Sequence, residues 1–148
     1  MQYLIVGLGN PGEEYAETRH NVGRMMLEVF RKKYDFPAWE KDKVFKALVS
    51  KGTWGKDKLI LLEPDNFMNA SGKSVVPLVK NAKDAERTIV VYDDLDLPLG
   101  TIKISFDRSS GGHKGVESII KALKTPAFVR VRVGICPTTP SGKPRKPK

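Results

Sequence analysis

The chain alternates short continuous apolar runs with segments in which apolar residues recur every three or four positions. Continuous runs at 3–6 and 88–92 are typical of buried strands. Two further strand-like runs, 43–51 and 58–63, flank a glycine-containing turn at 54–57 and predict a β-hairpin. Strands separated by segments of helical pattern predict an α/β domain.

Three segments have the apolar spacing of amphipathic helices. The first begins near His20, and its apolar residues are Val22, Met25, Met26, Val29 and Phe30. A weaker pattern covers 71–82, where Pro77 indicates a kink or a different boundary. The third helix carries a stripe formed by Val116, Ile119, Ile120 and Leu123.

Two strands near the end of the chain place apolar and basic residues on opposite faces. In 101–106 the apolar residues alternate with Lys103, and in 129–135 they alternate with Arg130 and Arg132. These cations are either solvated charges or contacts for a phosphate backbone. The predicted order is β-α-β-β-α-β-β-α-β, a single α/β domain with a mixed twisted sheet flanked by helices.

The length of 148 residues and the hydrophobic content of 40% fit one domain with a single core. Lys and Arg number 26 against 17 acidic residues, so the net charge is +9 and the sequence pI is about 9.7. This excess suggests a polyanionic partner, usually a nucleic acid. Four of the basic residues and no acid lie in 137–148, which we interpret as a Pro/Lys-rich tail after a domain at 1–136.

Cys136 is the only cysteine, which excludes an internal disulfide and fits a reducing compartment. The longest apolar runs, of about four residues, are too short to cross a membrane. The first residues enter a strand pattern directly and do not resemble a signal peptide. We therefore expect a cytoplasmic protein without a membrane partner.

Residues 7–12 match the pattern G-x-G-x-x-G directly after a predicted strand, as in dinucleotide-binding folds. That interpretation requires a helix that opens within the glycines. Pro11 interrupts the loop, and Glu13 and Glu14 would repel a pyrophosphate, so a nucleotide-dependent oxidoreductase is disfavoured. The alternatives are a tight turn or a loop that presents Asn10 beside a site.

His20 and Asp93 are the candidates for acid–base chemistry. His20 lies at the start of a predicted helix, and Asp93 follows a buried strand, where sites collect in α/β sheets. An aspartate that accepts one ring N–H fixes the histidine tautomer and leaves the other nitrogen free to take a proton. The alternatives are a capping or surface role for His20 and a turn or cap for Asp93.

Other kinds of chemistry have weak support in the sequence. No Ser, Thr or Cys is marked as a nucleophile, and the two histidines and one cysteine lack metal-ligand spacing. We therefore expect no metal or cofactor, and attack by water with the help of a general base. The glycines of 111–115 either aim backbone N–H groups of the third helix at an anion or form an ordinary flexible loop.

Five blocks in this order resemble the bacterial-type peptidyl-tRNA hydrolase family. They are LIVGLGNPG at 4–12, Tyr15 with TRHNVG at 18–23, FMNASG at 67–72, DDLDLP at 93–98 and GGHKG at 111–115. The resemblance covers about residues 3–136 and implies a single α/β domain around a mixed sheet. It also implies hydrolysis of the ester that joins a peptide to the 3′ end of tRNA.

The resemblance also implies roles for individual residues. His20 matches the general base, Asp93 the residue that orients it, and Asn10 and Asn69 the residues that position the peptide and the attacking water. The residues that match substrate-binding or site-lining positions are Asn10, Tyr15, Met68, Asn69, His113 and Lys114.

Lys103 and Arg132 match basic family positions that hold tRNA phosphate, so the resemblance implies tRNA as the partner of a monomeric protein. The family usually has Asn where this chain has Lys114, and Arg108 is a candidate replacement for another basic residue of relatives. Relatives also continue with further elements where this chain has its tail, so we expect those elements to be missing. A non-catalytic RNA-binding relative of the same fold is the alternative.

Overall fold

The computed structural model describes residues 1–15, 18–143 and 145. Within them, seven strands form one sheet in the order β2-β3-β4-β1-β5-β7-β6. The strands are β1 Gln2–Gly7, β2 Glu40–Asp42, β3 Ala47–Trp54, β4 Asp57–Pro64, β5 Thr88–Pro98, β6 Ile102–Phe106 and β7 Val129–Cys136. β1 is parallel to β4 and β5, and β5 is parallel to β7, whereas the β2–β3, β3–β4 and β6–β7 pairs are antiparallel. The predicted α/β fold with a mixed sheet is confirmed.

The predicted hairpin corresponds to β3 and β4, which are joined by the turn at Gly55. β2 is an additional edge strand of three polar residues that no apolar pattern indicates. Residues 137–143 and 145 follow β7 and include a backbone hydrogen bond from Thr139 to Lys143. Of the predicted tail, residues 144 and 146–148 lie outside the described residues.

Four α-helices flank the sheet in the described part of the chain. They are α1 Val22–Lys33, α2 Gly72–Val75, α3 Ala82–Glu86 and α4 Lys114–Leu123. The helical pattern at 71–82 is interrupted where Pro77 indicated a kink or a different boundary: α2 ends at Val75, and a 3-10 turn containing Pro77 follows. Proline has no N–H to donate to the preceding turn, so the α-helical hydrogen-bond ladder does not continue through it.

The core lies on both faces of the sheet. The face toward α2 and α4 buries a large cluster that includes Val6, Leu62, Val90, Val116 and Ile119. The face toward α1 buries a smaller one formed by Leu27, Phe36, Leu59 and Leu61. Because β1, β4 and β5 are parallel, their carboxyl ends meet at one edge of this double-sided core.

The buried face of α1 differs from its predicted apolar stripe. Leu27 is 2% exposed, whereas Met25 and Val29 are 43% and 64% exposed. A Cβ at Gly23 would lie 2.3 Å from the carbonyl oxygen of Val91, so only glycine allows this close approach of α1 to the sheet. The close contact turns the face with Gly23 and Leu27 toward the strands and leaves part of the predicted stripe in solvent.

The apolar face of β6 is exposed. Ile102, Ile104 and Phe106 are 51%, 74% and 51% accessible, although their alternation is typical of a strand that packs on a core. They are paired with the apolar residues of β7, while α1 packs against β1, β4 and β5 further inside the sheet. Alternation identifies the residues that share a face, but it does not decide whether a helix covers that face.

The basic face of β7 is buried. Arg130 and Arg132 are 0% and 8% exposed and lie opposite Val90 and Tyr92 of β5, on the face that packs against α4. The prediction that Arg130 is a solvated charge or a phosphate contact is therefore wrong.

Candidate active site

The loop after β1 holds Asn10 in a network of hydrogen bonds. Its N–H donates to Oδ1 of Asn21 at 2.8 Å, and its carbonyl oxygen accepts from Nδ2 of Asn21 at 2.9 Å and from Nη1 of Arg24 at 3.1 Å. Its side-chain oxygen accepts from the N–H of Met68 at 2.8 Å. Since the Met68 N–H fixes that oxygen, the side-chain NH₂ of Asn10 is the group without a hydrogen-bond partner among the described residues.

The glycine motif around Asn10 serves packing. A Cβ at Gly9 would lie 2.6 Å from both Oδ1 of Asn21 and Cδ of Arg24, so glycine is needed for this loop to reach α1. The segment continues into a 3-10 turn at Glu13–Tyr15, and no helix opens within the glycines. The structure therefore contradicts the dinucleotide-binding interpretation and retains the loop that presents Asn10.

His20 and Asp93 meet on β5, which continues past Asp93 to Pro98. His20 belongs to a 3-10 turn at Arg19–Asn21 just before α1, and its Nδ1 lies 2.6 Å from Oδ2 of Asp93. The side chain of His20 is 68% exposed and that of Asp93 is 4% exposed. The two candidates that the sequence placed 73 positions apart are thus in direct contact, with the carboxylate inside and the imidazole outside.

Asp93 is shared with a second histidine. Nε2 of His113 lies 2.8 Å from Oδ1 of Asp93, and the His113 side chain is 11% exposed. Burial raises the pKa of Asp93, but the hydrogen bonds from His113 and His20 lower it by more, so the pKa lies below its ordinary value. Asp93 is therefore a stable carboxylate between two imidazoles.

The start of α4 is capped by the same His113. The N–H groups of Gly115 and Val116 donate to Nδ1 of His113 at 3.1 and 3.3 Å. These are backbone N–H groups that the sequence suggested could face an anion. Two of them donate to the His113 side chain, which caps the helix. These two N–H groups are therefore not available to an anion.

A cavity of about 280 Å³ opens beside the two histidines. Its lining includes His20, Asp93 and His113, the cations Arg108 and Arg132, the acids Asp94 and Asp96, and the loop at 109–112. The arrangement places an exposed imidazole, a buried carboxylate and side chains of both charges around one open space.

Comparison with known proteins agrees with this geometry. The family model for peptidyl-tRNA hydrolase matches residues 4–146. Over 133 residues the chain is 47% identical to the peptidyl-tRNA hydrolase of Listeria welshimeri, which covers 89% of this chain and 71% of that protein. It is also 47% identical over 145 residues to the peptidyl-tRNA hydrolase of a Thermoanaerobacter species, strain X514, covering 97% of this chain and 74% of the relative.

Solved structures are similar as well. The crystal structure of peptidyl-tRNA hydrolase from Acinetobacter baumannii aligns with a TM-score of 0.84 at 38% identity and covers 96% of this chain and 69% of the other. This chain belongs to the peptidyl-tRNA hydrolase family.

None of the remaining substrate-binding candidates lines the cavity beside His20. Tyr15 packs edge-on against Phe67 with ring centroids 6.3 Å apart, and Met68 packs partly buried against the core. Asn69 is exposed on the 3-10 turn Met68–Ala70. Asn69 and Lys114, the latter the exposed first residue of α4, line a second groove, outside the cavity beside His20.

The two residues predicted to hold tRNA phosphate differ in availability. Lys103 is exposed, and in the antiparallel β6–β7 pair its backbone lies opposite that of Arg132. Nε of Arg132 donates to Oδ2 of Asp94 at 2.8 Å, and Nη1 donates to Oγ of Ser105 at 3.2 Å. Among the described residues Lys103 forms no ion pair, whereas Arg132 already balances the carboxylate of Asp94.

Arg130 has a structural function that its sequence position did not indicate. Nη1 donates to the carbonyl oxygens of Pro126 and Phe128 at 3.0 and 2.9 Å, and Nη2 donates to the carbonyl oxygen of Arg108. The guanidinium also lies 4.0 Å from the centre of the Phe128 ring. Arg130 thus ties the strand to the beginning of the loop that leads to His113.

Sequence reasoning missed Arg24 and Glu63. Arg24 bonds the backbone of Asn10, and its Nε lies 3.7 Å from Oε2 of Glu63 at the end of β4. Glu63 follows an apolar run just as Asp93 does, and this is the signal that was available. Among the described residues, no group of His, Cys, Asp and Glu could hold a metal ion, and no helix is long and apolar enough to span a membrane.

Proposed function

We propose that this chain hydrolyses the ester of peptidyl-tRNA with His20 as the general base and Asp93 as the residue that orients it. The observation that carries the assignment is the contact between exposed His20 and buried Asp93 at 2.6 Å. Asp93 accepts the Nδ1–H of His20, so Nε2 is the nitrogen with a free lone pair. Membership of the peptidyl-tRNA hydrolase family supports the substrate.

The reaction follows from this tautomer. Nε2 of His20 takes a proton from a water molecule as the water oxygen bonds to the ester carbonyl carbon. The resulting imidazolium is stabilised by the Asp93 carboxylate. As the tetrahedral intermediate collapses, the C–O bond to tRNA breaks and His20 returns the proton to the 3′ oxygen. The products are free tRNA and a peptide carboxylate.

Asn10 is suited to position the substrate. Its side-chain oxygen is held by Met68, and its NH₂ group remains available to a carbonyl or oxyanion oxygen. We assign Asn69, on the exposed turn beside Met68, a second polar contact with peptide or water. Tyr15 and Met68 supply the partly apolar wall beside them.

The tRNA moiety is expected to lie on the basic side of the site. Lys103 contributes a charge, and Arg108 and Arg132 line the cavity beside His20. Lys114 keeps the proposed substrate-binding role but supplies donors and charge without an acceptor, unlike the usual asparagine. We further propose that the protein acts as a monomer in the cytoplasm.

The test is hydrolysis of an N-blocked aminoacyl-tRNA by the chain and by its His20→Ala variant. We expect kcat to fall by roughly 10²–10⁴-fold, the usual contribution of a general base, while tRNA affinity stays unchanged. Circular dichroism checks that the variant is folded. Wild-type turnover by folded His20→Ala would refute the base assignment.

The same assay separates the enzyme from its alternative. A non-catalytic RNA-binding relative would bind tRNA without releasing the blocked amino acid. The direct His20–Asp93 contact favours the enzyme, because RNA binding alone does not require an exposed imidazole held in one tautomer.

A further inference from the structure

We propose that His113 is a positioning residue that acts through Asp93 and is kept in its neutral Nε2–H tautomer by the first N–H groups of α4. This inference deepens the proposed function and depends on Asp93 orienting His20. It replaces the substrate-binding role that family resemblance implied for His113. The argument starts from the two ring nitrogens of His113.

The tautomer of His113 is determined by the protein backbone. Its Nδ1 faces the N–H groups of Gly115 and Val116, at 3.1 and 3.3 Å. A nitrogen that accepts hydrogen bonds carries no proton, so the single proton of the neutral ring lies on Nε2. A doubly protonated ring would place an Nδ1–H against two other N–H groups, so the α4 cap is compatible only with neutral His113.

The proton on Nε2 points the hydrogen bond toward Asp93. Nε2 of His113 is 2.8 Å from Oδ1 of Asp93, so it donates to that oxygen. Oδ2 is then the oxygen that remains for His20, at 2.6 Å. With one oxygen bonded on each side, the carboxylate cannot rotate without losing a charge-assisted hydrogen bond.

The two histidines consequently have different capacities for chemistry. Both nitrogens of His113 are engaged, its side chain is only 11% exposed, and its ring packs edge-on to Tyr92 at 4.8 Å between centroids. In the described part of the chain His20 is hydrogen-bonded only through Nδ1, and its side chain is 68% exposed. Both rings contact the same carboxylate, but His20 alone has a lone pair that can take a proton from water.

The chain of contacts therefore runs from α4 through His113 and Asp93 to His20. The rigid element is the start of α4, which is anchored by buried Val116. Each link determines the proton position of the next, so the helix start specifies which nitrogen of His20 is free.

Two substitutions separate the cap from the donor. The amide oxygen of Asn reaches about as far as Nδ1 of histidine, so His113→Asn keeps an acceptor for α4 but loses the donor to Asp93. The amide NH₂ of Gln reaches about as far as Nε2, so His113→Gln keeps the donor and loses the cap. The pair tests the two halves of His113 independently.

We expect His113→Asn to unfold at nearly the wild-type temperature, with kcat reduced roughly tenfold and KM little changed. His113→Gln should unfold at a lower temperature and yet retain more of kcat than His113→Asn. If kcat in both variants follows thermal stability instead, or if KM rises while kcat is unchanged, the positioning role is refuted.

NMR of ¹⁵N-histidine-labelled protein gives a readout independent of turnover. We expect His113 to show the neutral Nε2–H pattern in the wild type, and His20 the Nδ1–H pattern. In His113→Asn, His20 should populate both tautomers. An Nδ1–H or doubly protonated His113 at neutral pH would overturn the proposal even if His20→Ala abolishes hydrolysis, and active His20→Ala would overturn the proposed function instead.

Discussion

Two buried carboxylates, Asp93 and Glu63, lie on β5 and β4, the two strands parallel to β1 on either side of it. Asp93 is 4% exposed and Glu63 is 6% exposed, yet their pKa values move in opposite directions. Burial raises the pKa of Glu63 to about 7, and Arg24 opposes this only from 3.7 Å. In Asp93 two histidines at hydrogen-bond distance outweigh burial. Two equally buried carboxyl groups therefore have pKa values shifted in opposite directions. The number of close hydrogen-bond donors decides whether the ionised or the protonated form is the stable one.

Glu63 is linked through Arg24 to the loop that holds Asn10. Arg24 contacts Glu63 and also donates to the carbonyl oxygen of Asn10. Glu63 takes no part in the proposed chemistry, so we expect its substitution to change the free energy of unfolding, whereas substitution of Asp93 should change kcat. Three substitutions examine this contrast, after His20→Ala and the His113 pair.

Asp93→Asn should have the largest effect. Asparagine can present its NH₂ to Nδ1 of His20, which favours the tautomer with the proton on Nε2 and removes the free lone pair. We expect a clear loss of kcat that is smaller than the roughly 10²–10⁴-fold loss in His20→Ala. Steady-state hydrolysis of N-blocked aminoacyl-tRNA measures it. Unchanged kcat in this variant would remove Asp93 from the mechanism.

Glu63→Gln should change stability with little effect on kcat. The folded protein holds the Glu63 proton more tightly than the unfolded chain, so the free energy of unfolding falls as pH rises from about 4.5 to 7. This contribution is at most about 3 kcal/mol. Glutamine does not ionise, so this pH dependence is absent from the variant. The free energy of unfolding of Glu63→Gln minus that of the wild type should therefore be larger at pH 8 than at pH 5.

Urea unfolding of wild type, Glu63→Gln and the exposed control Glu86→Gln at both pH values measures this difference. Glu86 is the last residue of α3 and lies on the surface, so its variant should follow the wild-type pH dependence. An identical pH dependence in Glu63→Gln and wild type would show that Glu63 behaves like an ordinary carboxylate.

Arg24→Lys should have the smallest effect. Lysine keeps the charge near Glu63 but lacks the guanidinium that reaches both that carboxylate and the carbonyl oxygen of Asn10. Losing one hydrogen bond to the loop should lower kcat/KM by about two- to tenfold. A loss as large as that of Asp93→Asn would mean that the Glu63 side of the site takes part in catalysis.

The part of the site that the sequence could predict was the pair with the strongest local signals. His20 at a helix start and Asp93 after a buried strand are in contact at 2.6 Å. Asn10 lies in a loop that is hydrogen-bonded to Asn21, the residue next to His20. Asn10 and Asp93 come after apolar strand runs and His20 comes just before a helical pattern, and parallel strand ends converge at one edge of an α/β sheet.

Other expectations failed where they depended on packing. Arg130 alternates with valines and reads as a surface charge, but it is completely buried on backbone carbonyl oxygens. Ile104 reads as a core residue and is 74% exposed. Alternation is a property of the single strand, whereas the covering of each face depends on where α1 and α4 pack.

The sequence by itself determined the strand and helix pattern, the α/β class and the motifs of the peptidyl-tRNA hydrolase family. These depend on periodicity and residue type, which are local properties of the chain. Only the tertiary structure decided that one carboxylate contacts two histidines and that α4 sets the tautomer of His113. It also decided that the ionised form of Glu63 is destabilised while that of Asp93 is stabilised. Burial and hydrogen-bond partners are set by segments distant in sequence, and they determine which of two chemically similar side chains can do chemistry.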